Sequence, residues 1–290
     1  MTTDTHSFKT ACVQFCAGRD VARNVAEVTE LVREAAARGA ELVLTPEMTG
    51  LIELDGKRLM ANTYVEADDP ALAAFCALAA DLGVWLSIGS LAIQTAGDQL
   101  ANRSFLIAPN GTIAARCDKI HMFDVTLANG ESYRESKRYR PGDQAVCADL
   151  PWGRIGLTVC YDLRFPTLYR ALAQAGAIFL TVPSAFTRQT GKAHWHVLLR
   201  ARAIETGSFV FAAAQTGLHE AGRETYGHSL IVDPWGEVLA DAGEETGVIV
   251  ADIEPKRAHE ARERIPALDH DRSFAKPEAV PGDPGRKLAS

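Results

Sequence analysis

Three side chains that could act together in nucleophilic catalysis each follow a short apolar, strand-like segment. They are Glu47, Lys119 and Cys160. Catalytic and binding sites in open α/β sheets form beyond the carboxyl ends of the strands, so the fold is expected to bring these residues together. A thiol can attack an acyl carbon, a carboxylate can take the thiol proton, and an ammonium can stabilise the resulting oxyanion. The three positions therefore predict acyl transfer through a thioester.

Cys160 lies where a predicted strand, residues 154–159 (RIGLTV), turns into a predicted helix. The helix is indicated by apolar residues at helical spacing, beginning with Leu168 and Leu172. Backbone N–H groups and a helix N-terminus beside Cys160 would favour both a thiolate and an oxyanion. A buried structural thiol is the alternative, and from this segment alone it is the more frequent fate of a free cysteine.

Histidines offer a second way to activate the thiol, since His194, His196 or His228 could replace the carboxylate as base. The residue types alone do not decide between the two. His194 and His196 also suggest a metal site, but residues two apart on a helix point in different directions. No carboxylate or cysteine stands near them at ligand spacing. We therefore predict packing roles for these histidines and no metal.

The elements that must position these residues alternate between helices and strands. Asp20 is a predicted N-cap of a helix that ends at Gly39, and Asp69 caps a second helix that ends at Gly83. The order of elements is β-α-β-α-β-β-β followed by β-β-α-β-α-β-β-β-β. The predicted fold class is therefore α/β (α+β layered), in one domain. The 121–140 segment is long, polar and irregular, which is typical of functional loops.

Composition excludes several classes of protein. The chain has 290 residues, a net charge of -7 and 47% hydrophobic residues. Its Lys and Arg residues are scattered, which argues against nucleic acid as a partner. No apolar run reaches the length of a membrane helix, residues 1–9 lack a signal core, and the six cysteines are dispersed. We expect a cytoplasmic protein with free thiols, without a membrane partner or a cofactor.

Three segments resemble the signature motifs of the nitrilase superfamily of carbon–nitrogen hydrolases. They are residues 45–47 (TPE), 119–124 (KIHMFD) and 160–166 (CYDLRFP). The resemblance implies a four-layer αββα sandwich of the nitrilase type with two-fold dimerisation or larger homo-oligomers. It implies a carbon–nitrogen hydrolase domain over residues 1–275, and the Pro- and Gly-rich residues 276–290 are expected to form a flexible tail.

The same resemblance assigns catalytic roles to four residues. Glu47, Lys119 and Cys160 match the Glu-Lys-Cys triad of the superfamily, and Glu135 matches a second glutamate that holds the lysine and the substrate. The catalytic set is thus expected to be Glu47, Lys119, Cys160 and Glu135. A catalytically silent binding protein on the same fold is the alternative of another class, and the intact set argues against it.

Further segments are similar to the branch of the superfamily that contains omega-amidase and deaminated glutathione amidase. They include residues 183–187 (PSAFT), 199–205 (LRARAIE) and 226–229 (YGHS), the last closer to deaminated glutathione amidase. The resemblance implies an amidase that hydrolyses the terminal carboxamide of a small anionic substrate with water and releases ammonia. Deaminated glutathione is the expected substrate. The alternatives are 2-oxoglutaramate or 2-oxosuccinamate, and N-carbamoyl amino acids.

Four residues near these motifs are expected to bind the oxyanion or the substrate. The backbone N–H of Tyr161 would assist Lys119 at the oxyanion. Arg164 would bind a substrate carboxylate bidentately rather than form a structural ion pair with Asp162. Phe186 and Thr187 would contribute to the wall of the substrate pocket.

Overall fold

The computed structural model describes residues 6–127 and 130–275. Within these residues the α-helices are α1 (Val21–Ala37), α2 (Gly56–Ala61), α3 (Pro70–Leu82), α4 (Pro166–Gln174), α5 (Arg188–Thr206) and α6 (Lys256–Arg264). The strands of the first half are β1 (Phe8–Gln14), β2 (Leu42–Leu44), β3 (Tyr64–Val65), β4 (Trp85–Gln94), β5 (Leu100–Ile107), β6 (Ile113–Asp118), β7 (Asp124–Thr126) and β8 (Ser132–Arg134). Those of the second half are β9 (Val146–Leu150), β10 (Gly153–Leu157), β11 (Ala177–Thr181), β12 (Phe209–Ala212), β13 (Thr216–Leu218), β14 (Glu224–Tyr226), β15 (Leu230–Val232), β16 (Val238–Asp241) and β17 (Gly247–Ile253).

The strands form two large sheets and two short ribbons. The first sheet has the order β17-β1-β2-β4-β5-β6, with β3 beside β4, and the second has the order β16-β15-β12-β11-β10-β9. The pairs β1·β2, β2·β4, β10·β11 and β11·β12 are parallel. The ribbons are β7–β8 and β13–β14. Each sheet thus has parallel central strands, whose carboxyl ends lie at one edge.

Side-chain alternation along β1 separates two layers of the core. Ala11 and Val13 pack in a cluster with apolar residues of α1 and α3, whereas Cys12 points the other way and packs among residues of both sheets. This alternation is the period-two pattern of a strand that is buried on both faces. The first sheet therefore lies between a helical layer and the second sheet.

The second sheet repeats this arrangement in the opposite order. Phe179 and Phe209 belong to the cluster between the two sheets. Leu180 and Val210, their neighbours along β11 and β12, pack with apolar residues of α4 and α5. The layers are consequently helix, sheet, sheet and helix, which confirms the predicted αββα sandwich. Dimerisation, the bounds of the domain and the tail remain predictions, and residues 276–290 lie outside the described residues.

The helix boundaries follow the capping residues that the sequence indicated. The carboxylate of Asp20 accepts a hydrogen bond from the backbone N–H of Arg23 (3.1 Å), and Asp69 accepts one from Leu72 (2.9 Å). Gly83 ends α3 with φ +65°, a left-handed conformation that glycine adopts without steric cost. Local chemistry thus specifies where these helices begin and end.

The structure differs from the sequence expectation at four places. The α-helix after Cys160 begins only at Pro166, because a 3-10 turn occupies Cys160–Arg164. The described part of the 121–140 segment contains the β7–β8 ribbon rather than irregular chain. Helix α2 and the β13–β14 ribbon were not predicted, since such short elements bury too few apolar side chains to leave a periodic pattern. Among the described helices, none combines the length and the apolar character needed to cross a bilayer.

Gly89 lets the first two residues after β2 pass close to β4. A Cβ atom at this position would lie 2.2 Å from the carbonyl oxygen of Thr45 and 2.3 Å from that of Pro46. Both contacts are with backbone, which cannot rotate away as a side chain could. The bend that carries Glu47 therefore requires glycine at position 89.

We expect Gly89→Ala to lower the free energy of unfolding by roughly 3 kcal/mol through this overlap. Gly83→Ala is the matched control, because its Cβ would meet no atom within 4 Å and only the positive φ is strained. It should cost about 1 kcal/mol. Urea unfolding of both variants measures the difference, and equal destabilisation would contradict the steric argument.

Candidate active site

Glu47 is held by a hydrogen-bonded bend beyond the end of β2. The hydroxyl of Thr45 accepts a hydrogen bond from the backbone N–H of Gly89 (3.1 Å) and contacts the Thr49 hydroxyl (2.8 Å). Met48 adopts a left-handed backbone conformation with φ +56°. The side chain of Gln215 donates to the carbonyl of Glu47 (3.0 Å). These contacts fix the direction of the Glu47 side chain, which is buried.

Lys119 lies between the two glutamates that the sequence assigned to it. Its Nζ is 2.9 Å from Oε1 of Glu47 and 3.0 Å from Oε1 of Glu135. The amide of Asn102 donates to the same two carboxylates, at 2.9 and 3.2 Å. The Lys119 side chain is only 2% exposed, so its charge depends on these carboxylates rather than on water.

Glu135 reaches this network from the segment that follows the β7–β8 ribbon. It begins a 3-10 turn, Glu135–Lys137, and its Oε2 accepts a hydrogen bond from the backbone N–H of Phe123 (2.7 Å). The Glu135 carboxylate therefore binds Lys119 and also fixes Phe123, which directly precedes the ribbon. The ribbon and the buried lysine are positioned together.

Cys160 occupies a constrained turn at the end of β10. Its φ is +50°, a conformation that costs roughly 1–2 kcal/mol for a residue with a Cβ. The turn is held by Asp162, whose carboxylate accepts hydrogen bonds from the backbone N–H groups of Val159 and His121, each at 2.9 Å. The N–H of Cys160 donates to the carbonyl of Pro183 (2.9 Å). The backbone is thus bent to present the thiol, which is 6% exposed.

The electrostatic surroundings favour a thiol at Cys160 rather than the expected thiolate. Burial raises the pKa of Cys160 most, and the neighbouring Glu47 carboxylate raises it further, while Lys119 only partly opposes them. The expectation of a resting thiolate was therefore wrong. It rested on a helix N-terminus, which the structure replaces with a 3-10 turn, and on Lys119, whose charge Glu47 and Glu135 share.

Glu47 and Lys119 keep opposite charges at neutral pH. Burial raises the pKa of Glu47, but the charges of Lys119 and Arg223 and a hydrogen bond with Cys160 lower it below its ordinary value. Burial lowers the pKa of Lys119, but the charges of Glu135 and Glu47 raise it well above its ordinary value. The resting state is a thiol hydrogen-bonded to a carboxylate, which is the arrangement of a nucleophile with its general base.

A cavity of about 150 Å³ opens over this cluster, and we call it the Cys160 cavity. Most of the predicted site residues line it: Glu47, Lys119, Glu135, Cys160, Tyr161, Phe186 and Thr187. Thr187 also caps α5, since its hydroxyl accepts a hydrogen bond from the backbone N–H of Thr190. The structure therefore brings seven predicted residues to one cavity, although their individual roles remain predictions.

Arg164 is the predicted site residue that is not among the described residues lining the cavity. Its guanidinium contacts Nδ1 of His194 (3.3 Å) and lies 5.4 Å from the ring centre of Phe186. Asp162, the alternative partner considered for Arg164, instead bonds to backbone N–H groups and to His121. The role of Arg164 in carboxylate binding remains a prediction.

Two residues of the site were not foreseen. Asn102 is buried within the apolar strand β5, and a single polar residue in such a segment is the signal that could have identified it. Arg223 lines the cavity from the turn of the β13–β14 ribbon. That ribbon left no sequence pattern, so nothing placed Arg223 near Cys160 in advance.

A cluster of possible metal ligands joins two of the histidines that the sequence singled out. His196 Nε2 is 3.1 Å and His228 Nδ1 is 2.9 Å from Asp241, and one ligand atom from each of the three lies within 4.8 Å of the others. The argument that no carboxylate accompanies His196 was thus wrong, because it considered only nearby sequence. The short distances are those of hydrogen bonds, and the absence of a metal remains a prediction.

We expect Cys160 to contribute no thiolate between about pH 5 and 9, since its pKa is raised above the ordinary value. The measurement is the ultraviolet absorbance of thiolate during a pH titration, taken as the difference between the unmodified protein and Cys160→Ala. This difference removes the signals of the other five cysteines. A thiolate that forms near neutral pH in the difference would contradict the expectation.

Comparisons with known proteins agree with this geometry. Residues 9–263 match the carbon-nitrogen hydrolase family. The deaminated glutathione amidase of Synechocystis sp. (strain PCC 6803) is 41% identical over 265 residues, covering 90% of this chain and 96% of that protein. The Caenorhabditis elegans NitFhit structure has a TM-score of 0.86 and 34% identity, covering 92% of this chain and 66% of that longer one.

A third relative is an amidase from Nesterenkonia sp. AN1, with a TM-score of 0.79 and 26% identity over 94% of this chain and 96% of that one. That structure is of a glutamate-to-glutamine mutant and shows covalent addition of the acetamide moiety of fluoroacetamide at the active-site cysteine. The chain described here is a member of the carbon-nitrogen hydrolase family, in the nitrilase superfamily, and is a hydrolase that acts on amide C–N bonds.

Proposed function

We propose that this amidase hydrolyses a small anionic amide through a Cys160 thioester, with deaminated glutathione as its preferred substrate. The observation that carries the chemistry is the contact of one buried lysine with two carboxylates beside a buried thiol. The choice of substrate is supported by relatives that carry the name deaminated glutathione amidase and are 38–41% identical to this chain.

The first half of the proposed reaction forms the thioester. Glu47 takes the proton of the Cys160 thiol while sulfur attacks the amide carbon, and the electron pair of the C=O bond moves to oxygen. Lys119 and the N–H of Tyr161 would stabilise this oxyanion. The intermediate then collapses, the C–N bond breaks, and Glu47 gives its proton to the departing nitrogen. The acyl group remains on sulfur.

The second half releases the acid. Glu47, again a carboxylate, takes a proton from water as the water oxygen attacks the thioester carbon. The second oxyanion collapses, the C–S bond breaks, and sulfur regains a proton from Glu47. Glu135 would hold Lys119 and the substrate amide in place through both halves. The covalent addition of the acetamide moiety of fluoroacetamide to the cysteine of the Nesterenkonia amidase supports a nucleophilic role for Cys160 here, although that adduct keeps its amide and is not a thioester.

The leaving group depends on the substrate. A primary carboxamide such as 2-oxoglutaramate would release ammonia, but the preferred substrate would not, so the expectation of ammonia release from deaminated glutathione was wrong. Deaminated glutathione carries a substituted amide, so its cleavage would release the dipeptide amine cysteinylglycine together with 2-oxoglutarate. In both cases the departing nitrogen must be protonated as the C–N bond breaks, and Glu47 supplies that proton.

We also propose a homo-oligomer, a dimer or larger, in the cytoplasm. Two-fold assembly is implied by the resemblance to the superfamily, and light scattering after size exclusion measures it. A reducing compartment is supported by the cysteines, since all six are free thiols.

We expect Cys160→Ala to reduce kcat/KM on deaminated glutathione by a factor on the order of 10⁴ or more, because the thioester cannot form. Glu47→Gln should cause a similar loss, since the glutamine amide cannot accept the thiol proton. Cys76→Ala is the matched control, on α3 in the outer helical layer. Activity that survives Cys160→Ala would refute the nucleophile, and an inert wild-type protein would support the silent binding protein.

Deaminated glutathione should show a kcat/KM at least about tenfold above those of 2-oxoglutaramate, 2-oxosuccinamate and an N-carbamoyl amino acid, which corresponds to roughly 1.4 kcal/mol of additional transition-state binding. The physical reason is the second carboxylate of this substrate, which can approach the three arginines that line the Cys160 cavity, Arg134, Arg138 and Arg223. Product formation by each amide is measured under one set of conditions. A preference for 2-oxoglutaramate would identify an omega-amidase instead.

A further inference from the structure

The wall of the Cys160 cavity carries more positive than negative side chains. Four cations line it against three carboxylates: Lys119, Arg134, Arg138 and Arg223 against Glu47, Glu53 and Glu135. Two of the carboxylates bind Lys119, and the third, Glu53, pairs with Arg19 at 3.2 Å. Among the described residues none forms an ion pair with these three arginines. Arg134 and Arg138 are exposed, whereas Arg223 is half-buried, and a half-buried arginine favours an anionic partner.

Two of these arginines are held by backbone carbonyls instead. Arg134 donates to the carbonyls of Val125 and Tyr133, at 2.8 and 2.7 Å. Arg138 donates to the carbonyl of Leu54 at 3.0 Å. Such contacts satisfy N–H groups without neutralising the charge. These two arginines raise the positive potential of the cavity, but their donors are engaged in fixing the chain.

Arg223 has a donor that nothing in the described structure satisfies. One Nη atom donates to the carbonyl of Ala185, while its Nε is buried without a hydrogen-bond partner. The guanidinium stacks 5.3 Å from the ring centre of Tyr133, another residue of the cavity wall. A buried unpaired N–H beside a free positive charge is unfavourable unless a ligand supplies an acceptor. A carboxylate supplies both the acceptor and the opposite charge.

The ribbon that carries Arg223 is anchored well enough to position it. The backbone N–H of His219 donates to the carbonyl of Arg223 (2.8 Å) across the turn. The buried His219 ring contacts the Thr225 hydroxyl (2.7 Å) and the carbonyl of Ala17 (2.9 Å). These contacts tie the turn to both of its strands and to the end of β1. The guanidinium thus starts from a fixed backbone, which lowers the entropic cost of binding.

Ala185 links Arg223 to the reacting groups. Its carbonyl accepts from Arg223, and its N–H donates to Oε2 of Glu47 (2.9 Å). One residue therefore contacts both the guanidinium and the general base. An anion held by Arg223 would lie on the same side of the cavity as Glu47.

We propose that Arg223 is a substrate-binding residue that selects amides bearing a carboxylate. This inference rests on the proposed function for the identity of the amide, and it names the group by which the amide is chosen. Deaminated glutathione has two candidate carboxylates, one on the 2-oxoacyl part and one on the glycine part. A salt bridge from Arg223 to either one neutralises the guanidinium.

The test compares Arg223→Gln and Arg223→Lys with Arg188→Gln, which removes an equal charge from an exposed arginine paired with Glu224 and Glu244. With deaminated glutathione, Arg223→Gln should raise KM about 10- to 100-fold, the effect of losing a hydrogen bond to a charged group, and change kcat by less than about threefold. Arg223→Lys should recover part of the loss. Arg188→Gln should behave as wild type.

A second substrate identifies which carboxylate is bound. This substrate is deaminated glutathione with its glycine carboxylate converted to the amide. If Arg223 binds the acyl part, Arg223→Gln raises KM equally for both substrates. If it binds glycine, the amide analogue has a high KM already in the wild type and is insensitive to the substitution. Unchanged KM for both substrates, or a loss confined to kcat, would overturn the inference.

Binding without turnover separates this inference from the proposed function. Calorimetry measures the Kd of deaminated glutathione for Cys160→Ala with and without Arg223→Gln, and the expected weakening is again about 10- to 100-fold. Turnover with an Arg223-independent KM would refute only the inference. Binding that depends on Arg223 but is never followed by turnover would refute only the proposed function. Absence of both binding and turnover would refute both.

Discussion

The buried ammonium of Lys119 is the constraint on which the site depends. An ion removed from water must recover its hydration energy from its neighbours, and Lys119, at 2% exposure, forms ion pairs with Glu47 and Glu135 among the described residues. Loss of either carboxylate would leave an unbalanced buried charge, which costs roughly 3–5 kcal/mol. Glu47 follows β2 and Glu135 follows the β7–β8 ribbon, so their ion pairs with Lys119 also fix how these two segments meet.

Two strained turns lie beside Lys119, one after Glu47 and one at Cys160. Met48, directly after Glu47, and Cys160 both adopt positive φ without being glycine, and both follow strands that end at the cavity. Such strain persists only where surrounding contacts over-determine the backbone. Here a threonine pair and Gly89 hold the first turn, and Asp162 holds the second. The stability of the sandwich thus maintains two conformations that the isolated segments would not adopt.

The fold and the cluster of Glu47, Lys119 and Cys160 could be predicted from the sequence because both depend on long, regular elements. Apolar periodicity and capping residues such as Asp20 and Asp69 predicted the helices, the strands and the α/β class, and strand ends located Glu47, Lys119 and Cys160. The four-layer αββα arrangement was implied by the resemblance to the nitrilase superfamily. The features that could not be predicted depend on contacts between segments that are distant in sequence. The raised pKa of Cys160 follows first from its burial and then from a carboxylate 113 positions away in sequence, and the partner of His196 comes from β16. Arg223 stands on a ribbon too short to leave a pattern.

The residues of the proposed reaction follow strands of the large sheets, whereas the proposed anion-binding residue, Arg223, lies on a short ribbon. Glu47, Lys119 and Cys160 follow strands of the two large sheets, where a shift of backbone would disturb the packing of whole layers. Arg223 and Tyr133 lie on short ribbons whose side chains face the cavity and few core residues. The β13–β14 ribbon, which carries Arg223, contains neither the lysine nor its carboxylates, so we expect substitutions on it to change which anion is bound without moving them.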